Sequence, residues 1–364
     1  MSFDKLANMV QEGMDGRNGG IPMGFDRLNR YIGIRKSMYF LVGGLTGSGK
    51  TSFIDDCFVL NPFDWYINGG KKTNINLEII YRSMERSKTY KIAKWVARKI
   101  FIDTGIIIPV DKLLGWSGKM NEYEHNLFKS YKWYIDAMDD VITIIDGAEN
   151  PVGIAKELKA HALNNGRIVE DEVVAPDGSL RIVKRYIPND HNKITIVVID
   201  HIGLLKTTKD LPTKKQAIDK MSDELRYARD FYGYTIVVVS QFNRSIANPI
   251  RIKAGDVEPQ LEDFSDSSST QNDADVILAL FDPMRYKVED PSGYILDKLV
   301  DSYGAKYYRS ARLIKNSYGE DDIRIGMGFL GSIGMFKELP RKKDMTDEDY
   351  NSVIDKSFFK NTKK

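Results

Sequence analysis

The chain has 364 residues, a formal net charge of +2 at pH 7, and 42% hydrophobic and 29% charged residues. That balance describes a globular protein long enough for one large domain with insertions or two smaller ones. A nearly neutral total excludes a global electrostatic case for nucleic acid, so any such site must be a local patch. The single cysteine, Cys57, excludes an internal disulfide framework and fits a reducing compartment.

Residues 2–14 carry apolar side chains at helical spacing and predict a short amphipathic helix. The glycine-rich run Gly16-Arg17-Asn18-Gly19-Gly20 then reads as a hinge. With no signal-peptide core and no apolar run approaching about 18 residues, the expectation is a cytoplasmic protein. From residue 38 onward, apolar strands at 38–42, 77–83, 141–145, 194–199, 235–240 and 276–281 alternate with helical segments, notably 87–101, 151–163 and 214–231. Alternation of this kind predicts an α/β fold, a mostly parallel sheet covered on both faces. The polar segment 167–192, with Pro176-Asp177-Gly178-Ser179 between two β-like stretches, reads as an inserted hairpin. The charged, weakly periodic residues 339–364 predict a tail or a loosely docked helix. The expected organisation is therefore 1–19 as helix and hinge, 20–338 as the main domain and 339–364 as a tail.

The stretch Gly44-Leu45-Thr46-Gly47-Ser48-Gly49-Lys50-Thr51 satisfies G-x-x-x-x-G-K-[ST]. Glycines let consecutive backbone N–H groups turn inward around phosphate oxygens. A lysine in the place of Lys50 reaches the outer phosphates, and a hydroxyl in the place of Thr51 holds magnesium. The buried strand Met38-Tyr39-Phe40-Leu41-Val42 runs into the loop, and the helical pattern from Thr51 follows it, so the helix dipole points at the phosphates. Gly44, Gly47, Ser48, Gly49, Lys50 and Thr51 are the candidate nucleotide ligands. Cys57 reads as a small hydrophobe packed behind this loop. His125, His161, His191 and His201 are scattered without paired spacing, so nucleotide-bound magnesium is the one metal this pattern argues for.

A phosphoryl-transfer site also needs a carboxylate for the metal, a base for water and a sensor of the γ-phosphate. Ile194–Ile199 is an apolar strand ending in Asp200, where open α/β sheets bind ligands. The competing role for Asp200 is to cap the next turn. Glu85 follows the strand 77–83 and is a candidate base, although a carboxylate that merely starts a helix is common. Gln241 closes the strand Tyr234–Val239 after Ser240 and offers an amide to water and phosphate.

Further motifs carry a family resemblance. Gly20-Ile21-Pro22-Met23-Gly24-Phe25-Asp26-Arg27-Leu28-Asn29 is similar to the entry segment of DnaB-type replicative helicases, superfamily 4 motors with a RecA-like core. Ser83-Met84-Glu85-Arg86-Ser87, Asp200-His201-Ile202-Gly203-Leu204-Leu205, Ser240-Gln241-Phe242-Asn243-Arg244-Ser245 and Ser267–Asp275 resemble further motifs of that family, in its order. The resemblance spans residues 20–338 and implies a RecA-like P-loop NTPase that hydrolyses ATP with Mg2+. It implies that Lys50 and Thr51 bind phosphate and metal, Glu85 activates water, Asp200 supports the metal through water and Gln241 senses the γ-phosphate. It also implies a hexameric ring moving on single-stranded DNA in replication, with a primase or helicase loader as partner. The segment 243–253 would then be a pore loop, with Arg244, Arg251 and Lys253 giving local positive charge; a solvated basic loop is the plainer account.

Two departures from the pattern stand out. In Ala311–Gly319, Lys315 matches a lysine that the family extends into the neighbouring subunit's ATP site, but Ser317 occupies the place of the arginine finger. Such an arginine is worth about 10³–10⁵ in turnover, and Arg312 or Arg324 are the nearby candidates to replace it. The second departure is length: few residues precede the motor, so the expectation is a motor lacking the family's N-terminal domain, of the kind phage or mobile elements encode. Helix 2–14 is then either a shortened linker onto an adjacent protomer or simple decoration. The alternatives are a recombinase-like or KaiC-like regulatory ATPase, and a nucleotide-gated DNA-binding or loading factor with weak hydrolysis.

Overall fold

A computed structural model describes residues 3–14, 19–174, 179–264 and 268–360. The hinge residues Gly16, Arg17 and Asn18, the hairpin tip Pro176-Asp177-Gly178 and the side chain of Arg244 lie outside the described residues. The strands are β1 (Tyr39–Gly44), β2 (Asn76–Ser83), β3 (Ile142–Asp146), β4 (Gly166–Val174), β5 (Leu180–Pro188), β6 (Lys193–Asp200), β7 (Thr235–Gln241), β8 (Val276–Phe281), β9 (Tyr308–Asn316), β10 (Ile323–Leu330) and β11 (Met335–Glu338). Nine of them form one sheet in the order β11-β10-β9-β8-β1-β7-β6-β2-β3. All the pairings from β8 through to β3 are parallel. β9, β10 and β11 extend the sheet antiparallel on the β8 side.

The central strands are buried on both faces, which is why Tyr39–Val42 and Ile236–Val239 read as unbroken apolar runs. One core packs Phe40, Val42, Val198 and Val239 against Phe53, Phe58, Trp95 and Ile100. The other packs Leu41, Ile199 and Val238 against Ile154, Leu158, Met221 and Leu225. The helix after the glycine loop runs Lys50–Ile54, widens to a π segment at Asp55–Leu60 and resumes at Asn61–Ile67. Cys57 lies in that π segment, fully buried, and burial raises its thiol pKa, as suits a core residue.

The expected hairpin is present as β4 and β5, a two-stranded sheet held at its root by the Tyr186 hydroxyl donating to Ala162 O at 2.8 Å. Of the two C-terminal expectations, a tail or a loosely docked helix, the described residues show a docked helix. A helix at Asp347–Ile354 and a 3₁₀ turn at Ser357–Phe359 bury Tyr350, Val353 and Phe359 against Phe101, Leu299 and Tyr308. Charged residues on the solvent side mask these apolar anchors, which hold the helix on the core; residues 361–364 lie outside the described residues. Among the described residues no helix is long and apolar enough to cross a membrane.

Candidate nucleotide site

The glycine loop leaves β1 and enters the following helix, as the sequence order required. Gly47 and Gly49 have φ of +83° and +95°, a region that side chains with a Cβ rarely adopt. A Cβ on Gly44 would come within 2.6 Å of Ser48 Oγ, so the cradle closes only on glycine. Ser48 Oγ is buried without a hydrogen-bond partner inside that cradle. An orphaned hydroxyl in a ring of backbone N–H groups matches the needs of phosphate oxygens. The Lys50 ammonium, 8% exposed, folds back and donates to Leu45 O at 3.1 Å.

Strand register gathers the remaining candidates along one edge of the sheet. Gly44 pairs with Gln241 across β1 and β7, and Ser83 pairs with Asp200 across β2 and β6. Glu85 stands exposed two residues past the tip of β2, beside Met84, whose N–H donates to Asp200 O at 2.8 Å. The Thr51 hydroxyl donates to Asp200 Oδ1 at 3.2 Å, so the two metal-side candidates already touch. The peptide bond between Asp200 and His201 is cis, and Gln241 Nε2 lies 3.2 Å from His201 Nε2. The Gln241 amide is thereby tied to the residue after Asp200, which links the tips of β6 and β7.

The support behind Asp200 was not legible in the sequence. Its Oδ2 accepts from the Tyr81 hydroxyl at 2.7 Å and lies 3.3 Å from the Lys91 ammonium. Lys91, 1% exposed, also bonds Asp55 Oδ1 at 2.9 Å and the Tyr81 hydroxyl. Burial, then the charges of Asp200 and Asp55, push the Tyr81 pKa well above its ordinary value, so it stays a donor. Arg98, two turns along the same helix, pairs through Nε with buried Asp56 at 2.6 Å; burial raises that carboxyl to about 6 despite the guanidinium. The signal for these pairs was the spacing of Lys91, Trp95 and Arg98, which puts two cations on the apolar stripe of Lys88–Thr104.

Lys315 and the arginine candidates lie elsewhere. β9 runs antiparallel, so Lys315 pairs with Ile277, itself opposite Leu41. That is three residues back from the loop's first glycine, about 10 Å along the strand. Its ammonium donates to Gln271 O at 3.2 Å, and Ser317 is exposed. Arg312 meets Asp322 at 2.7 Å and Arg324 meets Glu258 at 2.8 Å, so both are held within one ion-pair cluster. Arg251, on the short helix Pro249–Ala254, is turned to buried Asp263 and to Asp256 O at 2.7 Å, whereas Lys253 is exposed.

A family model described as DnaB-like helicase C terminal domain matches residues 153–336, half of the chain. The replicative DNA helicase DnaB of Helicobacter pylori (strain ATCC 700392 / 26695) is 28% identical over 120 residues, covering 33% of this chain and 23% of that protein. That of Mycobacterium leprae (strain TN) is 28% identical over 100 residues, 28% of this chain and 16% of its own length. The matched region thus spans about a quarter or less of these curated relatives. Among solved structures, one described as an ATPase domain superposes with a TM-score of 0.66 at 20% identity, over 93% of this chain and 99% of that one. A DnaB-like replicative helicase studied for its interactions with primase gives 0.62 at 20% identity, over 92% of this chain and 66% of that one. These superpositions show that the chain shares the fold of those two structures. With the glycine loop, Asp200 and Gln241 at one sheet edge and the family model over half its length, the chain belongs to the DnaB-like helicase C-terminal domain family.

Proposed function

We propose that the protein is an ATP-driven DNA helicase or translocase acting in replication, which couples hydrolysis to movement on single-stranded DNA. The observation that carries this reading is the Thr51–Asp200 contact beside the glycine cradle, at the sheet edge shared with Gln241 and Glu85. The glycine cradle and Lys50 would hold the phosphates of ATP, and Thr51 with Asp200 would hold magnesium, Asp200 through water. Magnesium bound there supplies charge neutralisation for the transferred phosphoryl group. Glu85, exposed past the tip of β2, would orient and deprotonate the attacking water. Gln241 would carry the state of the γ-phosphate into the loop that follows β7.

The start of that loop, residues 243–253, is the proposed DNA-contacting segment, with Lys253 as an exposed cation, Arg251 as an internal brace and Arg244 as a further candidate. Lys315, remote from its own glycine loop, fits a role in a neighbouring subunit's site within a hexameric ring. The helix Phe3–Met14 exposes Phe3, Leu6, Val10 and Met14, which suits a linker that docks on an adjacent protomer. A primase or a helicase loader is the proposed partner, and the cytoplasm the proposed location. The test is unwinding of a forked duplex with ATP and Mg2+, alongside particle symmetry with single-stranded DNA. Rings that unwind the fork support the reading; absence of both rings and unwinding refutes it. DNA-stimulated hydrolysis without unwinding would point to a recombinase-like ATPase. ATP-dependent DNA binding with negligible turnover would point to a loading factor, a reading favoured by exposed Ser317 and by the ion-pair cluster that holds Arg312 and Arg324.

A further inference from the structure

Three cations line the glycine loop on its own chain. Lys50 donates to the carbonyl of Leu45 and Arg285 to that of Thr46. Arg309 donates through Nε to the carbonyl of Ser48 at 3.1 Å. Leu45 and Thr46 are consecutive, so the Lys50 ammonium and the Arg285 guanidinium sit on adjacent peptides of one crest, within the 3.8 Å step between neighbouring Cα atoms plus the reach of two carbonyls.

The two arginines differ in what they have left to give. Arg309 is buried, stacks over the Phe329 ring at 4.8 Å and pairs with Asp282 at 3.2 Å. It braces the loop from behind. Arg285 is exposed, on the turn Pro283–Tyr286, and its own N–H donates to Asp282 Oδ1 at 3.2 Å. Guanidinium carries five N–H donors in a planar fork, and a single carbonyl engages only part of it. Gly47 keeps the approach open, since a Cβ there would come within 3.0 Å of Arg285 Nη1.

Asp282 pairs with Arg309, and Asp200 is engaged by Lys91 behind the loop. Burial, and then the like charge of Arg285, work against the Arg309 cation while Asp282 supports it. Like charges set close together at one loop favour a bound anion between them.

We propose that Arg285 is a phosphate-side residue of this site, which grips the outermost phosphate of a nucleoside triphosphate from the same subunit as the glycine loop. The proposal rests on the reading of that loop as a triphosphate site. Lys50 and Arg285 then leave their carbonyls together and close on the terminal phosphate from two sides. A nucleoside diphosphate lacks that phosphate and gains little from Arg285. Substrate discrimination by Arg285 thus supplies positive charge in cis, independent of any neighbour.

Calorimetric titration of the full chain with Mg2+ and either a non-hydrolysable ATP analogue or ADP tests this. Arg285→Ala should weaken the ATP analogue about 10-fold or more, the scale of one lost charge-assisted hydrogen bond, and leave ADP within about 2-fold. Arg285→Lys should recover part of the loss. Equal weakening of both nucleotides would make Arg285 a brace of the loop, and unchanged affinity for both would make it a bystander; either overturns the proposal alone. If the unaltered protein binds neither nucleotide, the triphosphate reading falls and the proposal with it. Thermal unfolding of each variant reports whether an affinity loss comes from misfolding, because exposed Arg285 can be replaced without opening the core.

Discussion

The Thr51 hydroxyl donates to Asp200 Oδ1 at 3.2 Å, joining the end of the glycine loop to the tip of a strand 149 residues away. This contact places both metal-side candidates around one position. Asp200 cannot drift from it, because Tyr81 and Lys91 hold its other oxygen. Replacing Asp200 with Asn should raise the magnesium needed for half-maximal hydrolysis about 10-fold or more, and, because it also removes a carboxylate opposite buried Lys91, lower the denaturation midpoint. A magnesium titration checks it, and an unchanged midpoint would remove Asp200 from the metal site.

Glu85 is exposed two residues past the tip of β2, whose last residue, Ser83, pairs with Asp200. Glu85→Gln should cut turnover by about 10²–10⁴-fold, the usual worth of a general base. Nucleotide affinity should stay close to that of the unaltered protein, since the glycine cradle is untouched. Normal turnover in this variant would assign the base elsewhere.

Lys91 is the buried counter-charge of Asp55 and Asp200. Removing one partner of a buried ion pair leaves an uncompensated charge, which costs about 3–5 kcal/mol. Lys91→Ala should therefore lower the denaturation midpoint far more than an exposed Lys→Ala change does. Urea unfolding followed by circular dichroism measures the difference.

Glu78 gives a pH signature at the opposite end of the sheet. Burial pushes its carboxyl up, but His161 at 3.0 Å and Lys193 at 3.0 Å outweigh burial and bring it down to about 2. A carboxylate depressed on folding contributes stability that is present above its unfolded value and lost as pH falls through the folded one. The gap in urea midpoint between the unaltered protein and Glu78→Gln should be full above about pH 5 and close as pH falls toward about 2. A gap that does not change with pH would mean that Glu78 acts through packing.

Lys253 and Arg251 separate two uses of positive charge in the loop after β7. Lys253 is exposed, so Lys253→Ala should lower the salt dependence of single-stranded DNA binding by about 0.7 in the log–log slope. Arg251 is committed to Asp263, so Arg251→Ala should disorder the loop, read as faster proteolysis between 243 and 264. An unchanged slope for Lys253→Ala would remove that residue from the DNA surface.

Much of this site was legible along the chain because its parts are local. A strand, a glycine loop and a helix are neighbours in sequence, and Asp200 and Gln241 each end an apolar run that can only be a buried strand. The inserted hairpin announced itself through turn chemistry and alternation, and its strands stand at 166–174 and 180–188. How the C-terminal helix docks was less legible, because Tyr350, Val353 and Phe359 are anchors in a charged segment, too sparse for periodicity to choose between a tail and a docked helix.

The sequence alone determined the glycine loop, the parallel core and the order of the strand-tip residues, since each depends on contacts within a few residues or on a periodic pattern. Tertiary structure alone decided what surrounds them. β1 lies between β7 and β8, and β9 returns antiparallel, so Lys315 lands far from the loop while Arg309, near the other end of the same strand, meets Ser48. Lys91 finds Asp200 across 109 residues, and Arg285 finds Thr46 across 239. Charges that pair over such separations leave no periodic trace, because only the folded sheet brings their carriers together.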